Sequence, residues 1–184
     1  MGFFTSCSDF LENDPRGVLS EEDIVTPQSV EGFMNAAYAQ LGNDHYDSPY
    51  SLWPFGNVRS DDAYKGGSGT NDIQDFHFFE VSNNIRPDFA ELDNFWYISY
   101  VGVSRANKAL KALEQLSEAD YPLKKTRMAE MRFLRGHFYF MLKIMFRNVP
   151  YITEEIPVEE YKTISNKVFS NEELWNKIAE DFQA

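Results

Sequence analysis

Apolar residues recur at helical spacing in four stretches of this chain. In the first, Val30, Phe33, Met34, Ala37, Tyr38 and Leu41 share one face. Thr26 and Pro27 stand ahead of them, a good N-cap followed by the residue best suited to the first helical position, and Gly42 supplies a stop. The second stretch predicts a long helix over 89–116. Leu92, Trp96, Ser99, Val103, Ala106, Leu110 and Leu113 form one stripe, and Ile98, Gly102, Arg105, Ala109, Ala112 and Leu116 a second. At about 1.5 Å per residue it is on the order of 40 Å long. Tyr121-Pro122 breaks the chain, and the third helix is expected over 123–147. Its Met131, Leu134, Phe138, Met141 and Met145 repeat at helical intervals beside a stripe of Phe133, His137, Phe140 and Ile144. A helix apolar on two sides is expected to be buried between neighbours. Asn148-Val149-Pro150 ends it, and residues 148–169 read as extended. Ser170 then caps a last helix, with Glu173 at the capping-box position. Leu174, Trp175, Ile178, Ala179 and Phe182 begin an apolar face there that calls for a partner.

Residues 43–88 follow neither period. They hold Gly66-Gly67-Ser68-Gly69, many Asp and Asn, and the aromatics Tyr46, Tyr50, Trp53, Phe55, Tyr64, Phe76, Phe78 and Phe79. A connection this long is usually functional or disordered, and its aromatic content argues against plain disorder. The fold class predicted is mostly α, with tetratricopeptide-like helical hairpins and a long irregular loop region. Ala129, Phe133 and Gly136 match the small-x3-Phe-x2-small spacing of a tetratricopeptide second helix, whereas the first helix lacks the usual Trp-x2-Leu-Gly-x2-Tyr pattern.

The 184 residues suit one domain, and 43% hydrophobic residues are enough for a core. A net charge of −12 argues against nucleic acid, since little here would neutralise a phosphate backbone, and against adhesion to anionic lipid. No run of 18 apolar residues is present to span a bilayer. Cys7 is the single cysteine, so neither an internal disulfide nor a cysteine-rich zinc site is available. Two readings of Cys7 stand side by side. One is an inert thiol at a disordered end. The other is the end of a bacterial lipoprotein signal, because Phe4-Thr5-Ser6-Cys7 is an apolar residue and two small ones before a cysteine. The apolar core of such a signal would lie before Phe3, where only Met1-Gly2 stand. A lipidated cysteine on a polar tether would hold the protein at a membrane surface without spanning it.

No catalytic signature is visible. His45, His77 and His137 are far apart in sequence, and His137, between Phe133 and Phe140, reads as a packed or edge histidine. Asp61 and Asp62 are adjacent, unlike the separated carboxylates of a glycosidase. The Asp-rich loop lacks the twelve-residue calcium pattern, and Gly66-Gly67-Ser68-Gly69 lacks the Lys-Ser/Thr of a phosphate loop. No catalytic residue, metal site or cofactor is expected. What remains is aromatics beside amides and acids. Sugars present apolar C–H faces ringed by hydroxyls, which aromatic rings and Asp, Asn or Arg satisfy respectively. The ligand-binding candidates are Trp53, Tyr64, Asn71, Asp72, Arg86 and Trp96, against loop packing for Trp53 and a core role for Trp96. Arg132 and Arg135 read as ion pairs to neighbouring acids.

Four segments resemble one family in order and spacing. "SCSDFLENDPRGVLSEEDIVTPQSVEGFMNAAYAQL" is similar to the start of mature SusD/RagB-type outer-membrane lipoproteins. "FWYISYVGVSRANKALKAL", "AEMRFLRGHFYFMLKIMFRNVPYI" and "LWNKIAEDF" resemble the helices that follow there. The resemblance implies a SusD-like helical fold and a nutrient-binding lipoprotein at the cell surface of a Bacteroidetes-type bacterium, lipid-anchored to the outer membrane through Cys7. It implies capture of an oligosaccharide or polysaccharide for a TonB-dependent transporter of the SusC type, without catalysis. It implies residues 1–25 as signal remnant and tether, and 26–184 as the N-terminal part of a SusD-like domain truncated at its C-terminus. Two other classes remain: a helical-repeat scaffold that binds a protein partner, and part of a glycan hydrolase.

Overall fold

The structure is a computed structural model and describes residues 25–42 and 52–184. Cys7, His45, Tyr46 and Tyr50 lie outside the described residues. Five α-helices are present there: α1 Pro27–Ala39, α2 Gln74–Glu80, α3 Ala90–Gln115, α4 Lys124–Phe146 and α5 Asn171–Phe182. The described residues contain no strand, and the chain is mostly helical as its periodicity predicts.

Helix starts follow local chemistry. Thr26 Oγ1 accepts the Ser29 amide at 3.1 Å, and the Thr26 amide donates to Ser29 Oγ at 2.9 Å. Ser170 and Glu173 repeat the reciprocal arrangement on α5, at 3.2 and 2.7 Å. The Glu173 carboxyl is held below its ordinary pKa by the Ser170 amide it accepts from. Asp93 places negative charge in the first turn of α3. At its other end, Lys124 Nζ donates to the Glu114 and Leu116 carbonyls at 3.0 and 2.7 Å, so the first residue of α4 serves the last turn of α3.

The long helices stack as antiparallel neighbours. Along α3 and α4, Phe95 meets Phe146, Gly102 meets Phe138 and Asn107 meets Arg135, so the numbers run in opposite directions. Between α4 and α5, Phe133 meets Phe182, Phe140 meets Trp175 and Lys143 meets Asn171. Arg105 of α3 donates to the Ala36 carbonyl of α1, and Lys108 lies over the Phe33 ring, which sets α1 antiparallel to α3. One core runs through this array, with Val30, Met34, Leu110, Leu113, Met131, Leu134, Phe138, Tyr139, Leu142, Leu174 and Ile178 fully or almost fully buried. A satellite core of Phe76, Phe79 and Phe89, with Phe55, Phe78, Ile73 and Leu92 against it, underlies the loop region.

Three expectations need correction. Residues 43–88 are not wholly irregular: a one-turn π-helix at Pro54–Val58 and α2 are folded onto the phenylalanine cluster. Residues 148–169 include a 3-10 turn at Val158–Thr163. On α4, Met141 and Met145 are only half-buried, while Tyr139 and Leu142 are buried. With α3 on one side and α5 on another, the covered arc of α4 includes 131, 134, 135, 138, 139 and 142. The second predicted stripe, Phe133, Phe140 and Ile144, is exposed instead of buried.

Gly102 sets the spacing of α3 and α4. A Cβ there would stand 2.6 Å from the Phe138 ring, and Phe138 is fully buried. Gly102→Ala is expected to destabilise by about 1–3 kcal/mol as overpacking does, even though alanine is intrinsically better in a helix by about 1 kcal/mol. Urea unfolding measures the sign, and a stabilised variant would mean the helices are further apart.

Candidate functional site

The loop region is built outward from phenylalanine. Phe55 meets Phe79 at 5.2 Å and Phe95 of α3 at 5.6 Å, both edge-on, and so ties the satellite core to the helix array. Trp53, at the start of the π-helix, stands edge-on to Phe76 at 6.1 Å and keeps 39% of its surface exposed. Beyond it the chain makes a compact turn around one ammonium. Lys65 Nζ donates to the carbonyls of Gly66 at 3.2 Å, Gly69 at 2.8 Å and Asp72. The Asp72 carboxylate accepts from the Ser68 amide at 2.9 Å. Gly67 has φ +78°, and a Cβ there would sit 2.2 Å from Asp72 Oδ2, so only glycine fits. Ile73 is left at φ 48°, a conformation costly for a β-branched residue. Tyr64 projects from this turn at 86% exposure.

The six sequence candidates therefore have different surroundings. Tyr64 and Asn71 are exposed, Trp53 is part packed, and Asp72 is spent inside the turn. Arg86 donates to Asp88 at 3.2 Å and stands 5.4 Å over the Phe89 ring. Trp96 packs against the main core, 4.9 Å from Tyr100 and 5.0 Å from Phe146, the core position weighed for it. Among the described residues, no group of three or more His, Cys, Asp or Glu is placed to hold a metal ion.

A second feature was less visible in sequence. Arg135 is buried on α4, and its guanidinium pairs with Asp181 of α5 through two bonds, Nε at 2.8 Å and Nη2 at 2.6 Å. Nη1 donates to Asn107 Oδ1 of α3 at 3.0 Å and to Glu154. Tyr151 donates to Asp181 Oδ2 at 2.8 Å. Burial alone would lower the arginine's pKa, and the Asp181 carboxylate outweighs it, so the guanidinium stays charged. Burial, then Asp181, raises the Tyr151 phenol and keeps it a donor. Arg135 is thus an ion pair as read, but its acids lie 19 and 46 residues away and are not sequence neighbours. Arg132 makes no ion pair among the described residues, and its Nε is shielded without a hydrogen-bond partner. Both arginines line a cavity of about 450 Å³ with Tyr151, Glu155, Phe169 and Lys177. The available signal was Asp181 itself, one α5 turn beyond Ile178 on the buried stripe.

Two predictions follow from this chemistry. Arg135→Met leaves Asp181 and Glu154 uncompensated and is expected to cost about 3–5 kcal/mol in urea unfolding, with Asp181→Leu added to it recovering part of the loss. Glu91 gives a pH dependence. Burial, with Asp75 beside it, pushes its carboxyl from 4.5 up to about 7. Between those values the folded chain holds a proton that the unfolded chain has released, so stability falls as pH rises from about 4.5 to about 7. Glu91→Gln is expected to raise the melting temperature at pH 8 relative to wild type, and to leave it nearly unchanged at pH 4. Parallel shifts at both values would refute the assignment.

Comparison with known proteins places this geometry. A model of a SusD-like family described as "Starch-binding associating with outer membrane" matches residues 9–183. No protein with a curated description matches the chain. Among solved structures it is similar to surface glycan-binding protein A from Bacteroides fluxus, at 26% identity and a TM-score of 0.68, over 85% of this chain and 32% of that one. The chain therefore spans about a third of that neighbour's length. Among the described residues no helix is long and apolar enough to cross a membrane. With the family model matched from residue 9 to residue 183, the chain belongs to the SusD-like family.

Proposed function

We propose that this chain is part of a lipid-anchored glycan-binding protein of the outer membrane's outer surface, which captures oligosaccharide or polysaccharide and passes it to a SusC-type TonB-dependent transporter without hydrolysing it. The observation that carries the reading is the family match over residues 9–183. The name of the structural neighbour, a surface glycan-binding protein, supports it. The loop region adds a physical reason. Tyr64 stands out into solvent from a turn whose backbone is already braced, and Trp53 offers a second exposed ring. A backbone already held in place loses little further entropy when its ring stacks against a sugar. Hydrogen bonds to sugar replace water bonds of similar strength, so the net gain comes mainly from apolar contact, at about 25 cal/mol per Å². Asn71, exposed at the far end of the same turn, and Arg86, over the Phe89 ring, are polar groups of the right kind. Trp96 contributes least, since its ring is engaged by Tyr100 and Phe146. Cys7 is the lipid attachment point in this reading, with the residues after it as tether.

Affinity electrophoresis of the intact protein in gels containing starch or other polysaccharides tests the loop. Tyr64→Ala and Trp53→Ala are expected to weaken retention while the helical spectrum and melting temperature hold. Retention equal to wild type in both folded variants would move the sugar surface elsewhere, and release of shortened glycan would favour a hydrolase. Labelled palmitate fed to cells making the precursor is expected to mark the wild type and not Cys7→Ser; equal label would remove the anchor.

A further inference from the structure

Among the described residues, three side chains leave a shielded polar atom without a hydrogen bond: Glu91, Arg127 and Arg132. Two of them have partners nearby. Glu91 stands beside Asp75, and Arg127 spends its Nη atoms on Glu130 and Glu31. Arg132 makes neither a hydrogen bond nor an ion pair among the described residues. Taking a charged donor out of water costs its hydration, and nothing on α4 returns it. Arg132 lines the cavity of about 450 Å³ together with Arg135, one turn further along the same helix. The two arginines differ in what fills their forks. Asp181, Asn107 and Glu154 occupy that of Arg135, and that of Arg132 is open. A planar fork of this kind takes a carboxylate in two parallel hydrogen bonds.

The rest of the cavity limits what that carboxylate belongs to. Its lining carries four carboxylates, Glu154, Glu155, Glu180 and Asp181, against three cations, Arg132, Arg135 and Lys177. A polyanion is disfavoured there, and a single negative charge on a ligand rich in donors is favoured. Asp181 and Glu154 are spent on Arg135, and Glu180 pairs with Lys177 at 2.8 Å. Glu155 has no ion pair among the described residues and accepts donors freely. Thr153 adds a hydroxyl, and Phe169, edge-on to Tyr151 at 6.3 Å, an apolar wall. The volume lies within the range of small-ligand sites, about 300–1,000 Å³. We propose that the cavity between α4, α5 and residues 151–156 binds an acidic sugar, its carboxylate held by Arg132, its hydroxyls by Glu155 and Thr153, and its C–H face by Phe169. The choice of a sugar rests on the glycan reading above. The site is separate from the loop region, where Tyr64 and Trp53 offer rings and no unpaired cation is needed.

Isothermal titration calorimetry on the intact protein compares trimers of galacturonic, glucuronic and mannuronic acid with the corresponding neutral hexose trimers. At least one acid trimer is expected to bind more tightly than its neutral counterpart. Arg132→Gln is expected to weaken that binding about tenfold and Arg132→Lys to weaken it less. Neither is expected to lower the melting temperature, because Arg132 bonds to no other described residue. Phenylglyoxal labelling read by mass spectrometry gives a check without substitution: the bound acid protects Arg132 and leaves the exposed Arg59 reactive. Acid trimers that bind no more tightly than neutral ones, or that bind Arg132→Gln as they bind wild type, overturn the proposal. If neutral polysaccharide is still retained, this proposal alone falls; if no glycan of either kind binds, the glycan reading falls with it. A tripeptide that binds as tightly as the acid trimer, with the same loss in Arg132→Gln, assigns the cavity to a peptide carboxylate and overturns the sugar.

Discussion

A guanidinium buried among helices must be satisfied on every side, and Arg135 imposes that requirement on the whole array. Its donors reach α3 through Asn107, α5 through Asp181, and the segment between α4 and α5 through Glu154. Breaking such a pair leaves an uncompensated charge, whereas the intact pair adds little net stability over an apolar substitute. The consequence is more about placement than about strength. Helix α5 has a modest apolar face of Leu174 and Ile178, which could slide along α4. Asp181 permits one register, because only there does the carboxylate meet the fork in two bonds. The Arg135 network thereby fixes which residues of α5 face outward.

The same network organises a stretch with no secondary structure of its own. Residues 148–152 are extended and half enclosed, so their backbone groups need partners. Side chains of the two long helices supply them. Tyr139 donates to the Ile152 carbonyl at 2.9 Å and accepts the Ile152 amide at 2.6 Å. Asn107 donates to the same carbonyl at 2.9 Å, and Tyr100 to the Pro150 carbonyl at 2.6 Å. Burial pushes the Tyr139 and Tyr100 phenols up, so they remain protonated donors at any ordinary pH. The Tyr139 ring also packs 4.4 Å from Tyr151, whose hydroxyl returns to Asp181. Backbone of the connecting segment and the buried charge are thus satisfied by one set of residues.

The parts legible in the sequence were those decided locally. Thr26-Pro27, Ser170 with Glu173, and the Tyr121-Pro122 break mark helix ends by chemistry within a turn, and α1, α3, α4 and α5 lie where their periods put them. Period alone could not say which of two apolar stripes on α4 is covered, since that depends on where α5 docks. Phe133 and Phe140 are exposed for that reason, and the arc buried instead runs through Tyr139 and Leu142. Helix α2 was hidden because it is seven residues long and Phe76, Phe78 and Phe79 give no clean period. Arg135 was recognisable as an ion pair but not its partners, since Asp181 and Glu154 are brought to it only by the tertiary fold. The six candidate sugar contacts rest on residue type, and type cannot tell the exposed Tyr64 from Trp96, which the core engages.

The two cores divide the labour of the molecule. Helices α1, α3, α4 and α5 share a continuous interior of aliphatic and aromatic side chains closed by a polar network. The loop region rests instead on a small phenylalanine cluster, joined to the array through Phe55 against Phe95. So small a cluster cannot hold a long connection in one shape by apolar burial alone. Lys65 supplies what is missing, since one ammonium bonding three carbonyls closes the 65–72 turn from within and leaves no donor of that group for a ligand. The strain at Ile73 is then the consequence of a turn closed by its polar interior rather than by helix or strand. A surface built this way can exchange its outward residues, Tyr64 among them, without disturbing the helices, because its internal bonds run through backbone carbonyls and one lysine.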